Sequence, residues 1–204
     1  MWDGDLVEEA VTVCRESYAL RLTPGTSGNL SFRRGRFIMI SGSGLSLGFI
    51  DARGFVDGAT ASDLPLAPVA PSSEYPLHAA IYGVMPECRA ILHFHGPWVL
   101  QAGVREQPRQ WVPRVAPPEF GQLAPDGWLP RVPFLPPGSE ELGEAVAEAV
   151  RDGAMGAILC RHGGVALGRS PREALFRAEA MESAAHLDYF ARLAGQHEER
   201  SGAQ

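Results

Sequence analysis

Hydrophobic side chains recur every three or four residues from about residue 5 to residue 22, and acidic side chains occupy positions between them. This spacing predicts an amphipathic first helix. Two short apolar runs between residues 29 and 41 flank the turn-forming Arg33-Arg34-Gly35-Arg36 and predict a β-hairpin. The segment 45–70 mixes short apolar pieces with glycine, aspartate and proline, which indicates one or two strands joined by turns.

The rest of the pattern predicts four more helices and several strands. Each helix opens on a serine or a proline. The helices run from Pro71-Ser72-Ser73-Glu74 to just before Pro86, and over residues 97–103, 139–153 and 170–193. Strands are predicted at residues 91–96, 157–160 and 165–167, with edge strands at 111–115 and 131–135 inside a proline-rich segment. The tail from about residue 195 is polar and is expected to fray. The length favours one domain over residues 1–204.

A His-x-His pair gives the chain its clearest chemical signal. In the strand Ile91-Leu92-His93-Phe94-His95, residues two apart share a face, so the two imidazoles lie side by side. His162 follows another short apolar run and is the best candidate for a third ligand. Three neutral imidazoles suit Zn²⁺ or a neighbouring first-row metal. The alternative is a polar strand face or a satisfied buried pair.

Three loops of small hydrogen-bond donors precede that pair. They are Gly25-Thr26-Ser27-Gly28-Asn29, Ser41-Gly42-Ser43-Gly44 and Pro71-Ser72-Ser73-Glu74. Glycine lets backbone N–H groups converge on an anion, and a helix start adds free N–H groups. Plain turns have the same composition, so each loop alone is a weak indication. We expect Glu74, in the first helical turn, to stay ionised and to meet a cation. His78 lies one turn further on, either as a partner of Glu74 or as a packed side chain.

Charge and cysteine content restrict the partners and the compartment. A net charge of −6 without a basic block argues against nucleic acid and anionic membranes, but a small anionic substrate is compatible with it. Cys14, Cys88 and Cys160 form no C-x-x-C pattern and are predicted to be buried thiols in a reducing compartment. The sequence contains neither a signal-peptide pattern nor 18 consecutive apolar residues. We therefore expect a soluble cytoplasmic protein.

Together the three loops, Glu74 and the three histidines resemble the class II aldolase/adducin family, in particular its fuculose-1-phosphate aldolase type. The resemblance covers about residues 5 to 194. It implies an α/β fold of three layers, with a largely antiparallel central sheet covered by helices on both faces. It also implies a homotetramer whose active sites lie at subunit interfaces. The reaction it implies is the cleavage of a ketose 1-phosphate to dihydroxyacetone phosphate and an aldehyde.

The resemblance also implies roles for individual residues. His93, His95 and His162 would hold Zn²⁺ or another divalent metal, and Glu74 would be the acid/base that also touches the resting metal. The phosphate site it implies consists of Thr26, Ser27, Gly28, Asn29, Ser43, Gly44, Ser72 and Ser73.

One departure concerns the aldehyde side of the reaction. Family aldolases of this type use a tyrosine from the segment after the His-x-His strand and another from the tail. This sequence has no tyrosine between Tyr82 and Tyr189, and none in its tail. The alternatives are a methylthioribulose-1-phosphate dehydratase, a sugar-phosphate epimerase, a decarboxylase, or a non-catalytic adducin-like module. A metal-binding protein without a phosphate substrate is disfavoured by the serine and glycine loops.

Overall fold

A computed structural model describes residues 4–58, 69–106 and 109–201, with side chains up to residue 195. The helices are α1 Gly4–Ala19, α2 Tyr75–Val84, α3 Pro97–Ala102, α4 Phe120–Leu123, α5 Glu140–Val150 and α6 Pro171–Ser201. The strands are β1 Asn29–Arg34, β2 Phe37–Ser41, β3 Phe55–Asp57, β4 Ala90–Phe94, β5 Gln110–Trp111, β6 Leu129–Val132, β7 Gly156–Leu159 and β8 Gly163–Gly168. Two single turns of 3₁₀-helix, Leu47–Phe49 and Ala52–Gly54, precede β3.

The eight strands form one sheet in the order β3-β2-β1-β4-β8-β7-β6-β5. Every neighbouring pair is antiparallel except β6 and β7. The predicted hairpin is confirmed as β1 and β2. The His-x-His strand, β4, lies between β1 and β8 near the centre of the sheet, so both of its edges are hydrogen-bonded. The largely antiparallel sheet implied by the resemblance is confirmed.

Two hydrophobic clusters cover opposite faces of the sheet. One contains side chains of α1, α3, α4 and α6, and the other contains side chains of α2 and α5. Strand β4 divides its residues by alternation: Leu92 and Phe94 enter the first cluster, whereas Ile91 enters the second. His93 therefore points to the α2 side of the sheet. This three-layer arrangement is the predicted fold.

Several element boundaries differ from the sequence prediction. Helix α2 begins at Tyr75, so Glu74 is its N-cap residue and not a first-turn residue. Helix α6 continues to Ser201, beyond the predicted end near residue 193, because the polar residues after Gly195 include good helix formers. Part of the 45–70 prediction, residues 59–68, lies outside the described residues. The free cysteines Cys14, Cys88 and Cys160 are all buried, as predicted. In the part of the chain that is described, no helix combines the length and apolarity needed to cross a membrane.

Candidate metal and phosphate site

Two neighbouring strands bring the three histidines together. His93 is the fourth residue of β4, and His95 follows the end of that strand. His162 lies in the tight turn between β7 and β8, where Arg161 adopts a left-handed backbone with φ of 58°. Since β8 pairs antiparallel with β4 and places Val165 opposite His93, the turn falls beside the His-x-His end of β4.

The imidazole nitrogens converge on one point. The Nε2 atoms of His93 and His95 are 3.0 Å apart. The ligand atoms of these two residues and of His162 all lie within 4.8 Å of one another. The three rings meet edge to face, with centroids 4.8 to 5.3 Å apart. The sequence prediction that these three side chains form one group is therefore supported by the geometry.

One hydrogen bond sets the orientation of His93. Its Nδ1–H donates to the carbonyl oxygen of Gly164 at 3.0 Å, so the lone pair of the neutral ring is on Nε2 and faces the other histidines. A backbone carbonyl that fixes the tautomer of a ligating histidine is a common support of metal sites.

Glu74 approaches the histidines from the start of α2. Its Oε1 lies 3.8 Å from Nε2 of His162, and its side chain is 8% exposed. The Glu74 backbone N–H donates to the Ser72 hydroxyl, and the Gly138 backbone N–H donates to the Glu74 carboxylate. Its other oxygen, Oε2, is buried and has no hydrogen-bond partner among the described residues.

Burial disfavours the charged form of each ionisable group in this cluster. It therefore raises the pKa of the carboxyl group and lowers the pKa of each imidazole. It raises the pKa of Glu74 to about 7, and the hydrogen bond from Gly138 opposes only part of that rise. In the metal-free protein desolvation therefore outweighs the helix dipole, and the helix start alone does not keep Glu74 fully ionised near neutral pH. Burial and the neighbouring His95 lower the pKa of His162 to about 4. Burial lowers the pKa of His93 and of His95 as well.

These residues fit a divalent first-row metal. Two nitrogens bound at about 2.0 Å to one tetrahedral ion lie roughly 3.3 Å apart, close to the 3.0 Å between His93 and His95. The imidazoles are neutral, as ligands must be. Two buried polar atoms of the cluster, Oε2 of Glu74 and Nδ1 of His162, have no partner among the described residues. A cation would compensate the buried carboxylate.

The three predicted anion loops are adjacent at the same end of the sheet. Ser41 connects them, since its hydroxyl accepts from the Leu30 N–H at 3.2 Å and its carbonyl accepts from the Ser72 N–H at 3.2 Å. Asn29 pairs with His93 across β1 and β4, which puts the first loop beside the metal ligands. Gly28 has φ of 73°, and a Cβ there would lie 2.7 Å from the His93 carbonyl oxygen. Only glycine allows this close approach.

The residues predicted to bind phosphate differ in exposure and in whether their hydrogen-bond donors are free. Asn29 and Ser72 are almost fully buried. The hydroxyl of Ser27 donates to the Pro24 carbonyl at 2.7 Å, so that proton is used within the loop. The remaining positions are at the surface or partly exposed: Thr26, Gly28, Ser43, Gly44 and Ser73.

Sequence reasoning missed two features of the site. Gly138 reaches Glu74 through its backbone N–H, and only its position after two prolines marked it as a turn. His78 bonds Glu74 through the backbone, since its N–H donates to the Glu74 carbonyl oxygen at 3.4 Å, but its ring nitrogens bond Ser31 and Asn29. Its Nε2 lies 2.6 Å from Oδ1 of Asn29, a pairing that depends on how α2 packs on β1. No local pattern announces such a long-range contact.

The class II aldolase and adducin N-terminal domain family matches residues 8–189. The chain is 30% identical over 188 residues to an L-fuculose phosphate aldolase of Methanococcus maripaludis, covering 89% of this chain and 94% of the relative. It is 29% identical to the 5-methylthioribulose-1-phosphate/5-deoxyribulose-1-phosphate aldolase of Escherichia coli, covering 89% and 82%. The solved structure of YgbL from Klebsiella pneumoniae, described as an aldolase, epimerase or decarboxylase, superimposes with a TM-score of 0.82 at 26% identity, covering 93% and 91%.

The chain therefore belongs to the class II aldolase and adducin family. Relatives at similar levels of identity, 28% to 30%, are named as aldolases of different sugar phosphates and as a 3-oxo-tetronate 4-phosphate decarboxylase.

Proposed function

We propose that this protein is a divalent-metal-dependent lyase, with zinc as the metal, that cleaves a small ketose 1-phosphate such as fuculose 1-phosphate to dihydroxyacetone phosphate and an aldehyde. The observation that carries the proposal is the convergence of three neutral imidazoles beside a buried carboxylate oxygen that has no partner among the described residues. The adjacent donor loops support a phosphorylated substrate, and so do the relatives' names.

Each part of the site has a distinct task in this proposal. His93, His95 and His162 hold the metal, which supplies Lewis-acid stabilisation of charge on the substrate oxygens next to the phosphorylated carbon. Glu74 accepts and returns the proton that moves during cleavage. Burial raises the pKa of this carboxyl group in the metal-free protein, which favours its acting as an acid as well as a base. Asn29 and Ser72, with neighbouring loop residues, donate hydrogen bonds to the phosphate.

Chelation and reconstitution test the metal requirement. Fuculose 1-phosphate and ribulose 1-phosphate are offered to the purified protein, and released dihydroxyacetone phosphate is measured. Activity should disappear after chelator treatment and return on addition of zinc. Triose release that survives complete metal removal would contradict the proposal.

A second candidate is decarboxylation or dehydration of a related sugar phosphate at the same site. It is favoured by the absence of tyrosine between Tyr82 and Tyr189, which removes the aldehyde-side tyrosine used by the family's aldolases. The 28% identity to a 3-oxo-tetronate 4-phosphate decarboxylase of Escherichia coli points the same way. A metal-loaded protein that releases no triose from either ketose phosphate, but releases CO₂ or water from a related acid or sugar phosphate, would replace the first candidate with this one.

The proposal includes a homotetramer. Helix α6 carries large apolar side chains that are strongly exposed in the single chain, among them Phe176 at 58% and Phe190 at 52%. An exposed row of this kind is typical of a protein interface. Light scattering of the purified protein should give four times the 22.0 kDa chain mass. A mass of one chain at micromolar concentration would contradict this part of the proposal.

A further inference from the structure

A chain of buried hydrogen bonds runs from α2 to the amide of Asn29. The Tyr82 hydroxyl lies 2.9 Å from the Ser31 hydroxyl, which lies 2.6 Å from Nδ1 of His78. Nε2 of His78 in turn lies 2.6 Å from Oδ1 of Asn29. All four residues are at most 4% exposed, so water does not compete for these bonds. Hydrogen bonds between buried groups are costly to break when one partner is lost.

The direction of every bond in this chain is determined. An amide oxygen only accepts, so Nε2 of His78 carries the proton and Nδ1 is the acceptor. Ser31 therefore donates to Nδ1, and its oxygen accepts from the Tyr82 hydroxyl. Burial lowers the pKa of His78 to about 3, so the ring is neutral and has only one N–H.

The opposite direction leaves a buried donor unsatisfied. If the Asn29 amide were turned over, Nδ1–H of His78 would donate to the Ser31 oxygen, and the hydroxyl protons of Ser31 and Tyr82 would compete for one bond, so one of them would lack an acceptor in this chain. In the described part of the chain, Ser31 is the partner of the Tyr82 hydroxyl. The phenol at the far end of the chain thus selects the orientation of the amide.

We infer that Tyr82, Ser31 and His78 are positioning residues that hold the Asn29 amide with its oxygen inward, so that its NH₂ group is the side available to the substrate phosphate. This inference rests on the proposed function, in which Asn29 binds phosphate. The position of Asn29 supports a role in substrate binding, because Asn29 is the first residue of β1 and lies directly opposite the metal-ligand candidate His93. An NH₂ group attracts a phosphate, whereas an amide oxygen in its place would repel one.

Nitrogen NMR of histidine-labelled protein tests the direction without any ligand. His78 should be the Nε2–H tautomer across neutral pH in the wild-type protein. The Nδ1–H tautomer would reverse the chain and overturn the inference.

Calorimetry with two probes tests the consequence for binding. Dihydroxyacetone phosphate and unphosphorylated dihydroxyacetone are titrated into zinc-loaded wild type and variants. His78→Leu should weaken binding of dihydroxyacetone phosphate by about 10- to 100-fold, equal to one hydrogen bond to a charged group, and leave dihydroxyacetone unchanged. Tyr82→Phe, which removes only the distant hydroxyl, should weaken it by about 2- to 5-fold. Tyr18→Phe, on α1, is the matched control and should bind like wild type.

A conservative variant separates positioning from packing. His78→Gln provides an amide N–H in place of Nε2–H and should recover most of the phosphate affinity lost in His78→Leu. Equal affinity for dihydroxyacetone phosphate in wild type, His78→Leu and Tyr82→Phe would overturn the inference alone and leave the proposed function standing. A wild-type protein that binds the two probes equally would overturn both.

Discussion

Replacing Glu74 with glutamine should remove most of the activity and leave the fold intact. The Glu74 carboxylate lies against the histidine group, with Oε1 3.8 Å from Nε2 of His162, and glutamine has the same length but cannot carry the proton. Proton transfer by a positioned side chain contributes about 10²- to 10⁴-fold to a rate. We expect kcat to fall by a factor in this range while most of the bound metal is retained by the three histidines.

The same substitution should change how the stability of the metal-free protein depends on pH. Between its ordinary value of 4.5 and its folded pKa of about 7, the Glu74 carboxyl binds more protons in the folded state than in the unfolded state. Wild type therefore loses stability as pH rises through this interval. The full difference between the unfolded and folded pKa values of Glu74 corresponds to about 3 kcal/mol of unfolding free energy. About 2 to 3 kcal/mol of it is lost between pH 5 and pH 8. Glutamine does not titrate, so the variant should lack this loss.

Urea unfolding of chelator-treated protein at pH 5 and pH 8 measures this difference, and the triose-release assay measures the activity. Contributions from the histidines are common to both proteins and cancel in the comparison. Glu148→Gln changes a highly exposed acid on α5 and should match wild type in both assays. Full activity in the Glu74 variant would refute its acid/base role. Parallel pH profiles in the two proteins would refute the argument from burial.

Three further predictions concern the metal ligands and the backbone around them. His93→Ala should lose its bound metal on dialysis, whereas His186→Ala, at an exposed position, should keep it; elemental analysis reads both. Gly28→Ala should destabilise the fold by about 2 to 4 kcal/mol, because a left-handed backbone and a contact with a carbonyl oxygen both oppose a Cβ. Gly25→Ala, with similar φ and open space, should cost only about 1 to 2 kcal/mol in the same urea experiment. Ser139→Ala should cost about 1 kcal/mol through the lost cap on the Leu142 N–H and leave the metal content unchanged.

The parts of the fold that depend on local sequence were predictable. The β1–β2 hairpin follows from a turn between two apolar runs, and the Ser139 cap marks the start of α5. The His-x-His spacing placed His93 and His95 on one side, since alternation along a strand is a local property. Local sequence alone does not bring His162 to these two residues, because that contact depends on the pairing of the β7–β8 hairpin with β4.

The properties that depend on burial and long-range packing were not predictable in this way. The sequence pattern predicted that Glu74 is an ionised acid in the first helical turn. Its pKa is instead set by desolvation and by a contact from Gly138, 64 positions away. The same holds for His78, whose partners Ser31 and Asn29 come from a strand nearly 50 residues earlier. A sequence pattern contains the residue types of such a network but not the packing that assembles it.

The most direct test of the central claim is a zinc titration of chelator-treated protein with fuculose 1-phosphate as substrate, followed by the release of dihydroxyacetone phosphate. The rate should rise linearly with zinc and stop rising at one equivalent per chain, and the Glu74→Gln protein should bind most of that equivalent but release triose at least about 100-fold more slowly. Saturable zinc binding with no triose release by the wild type would contradict the aldolase claim, and failure to bind zinc would contradict the metal site.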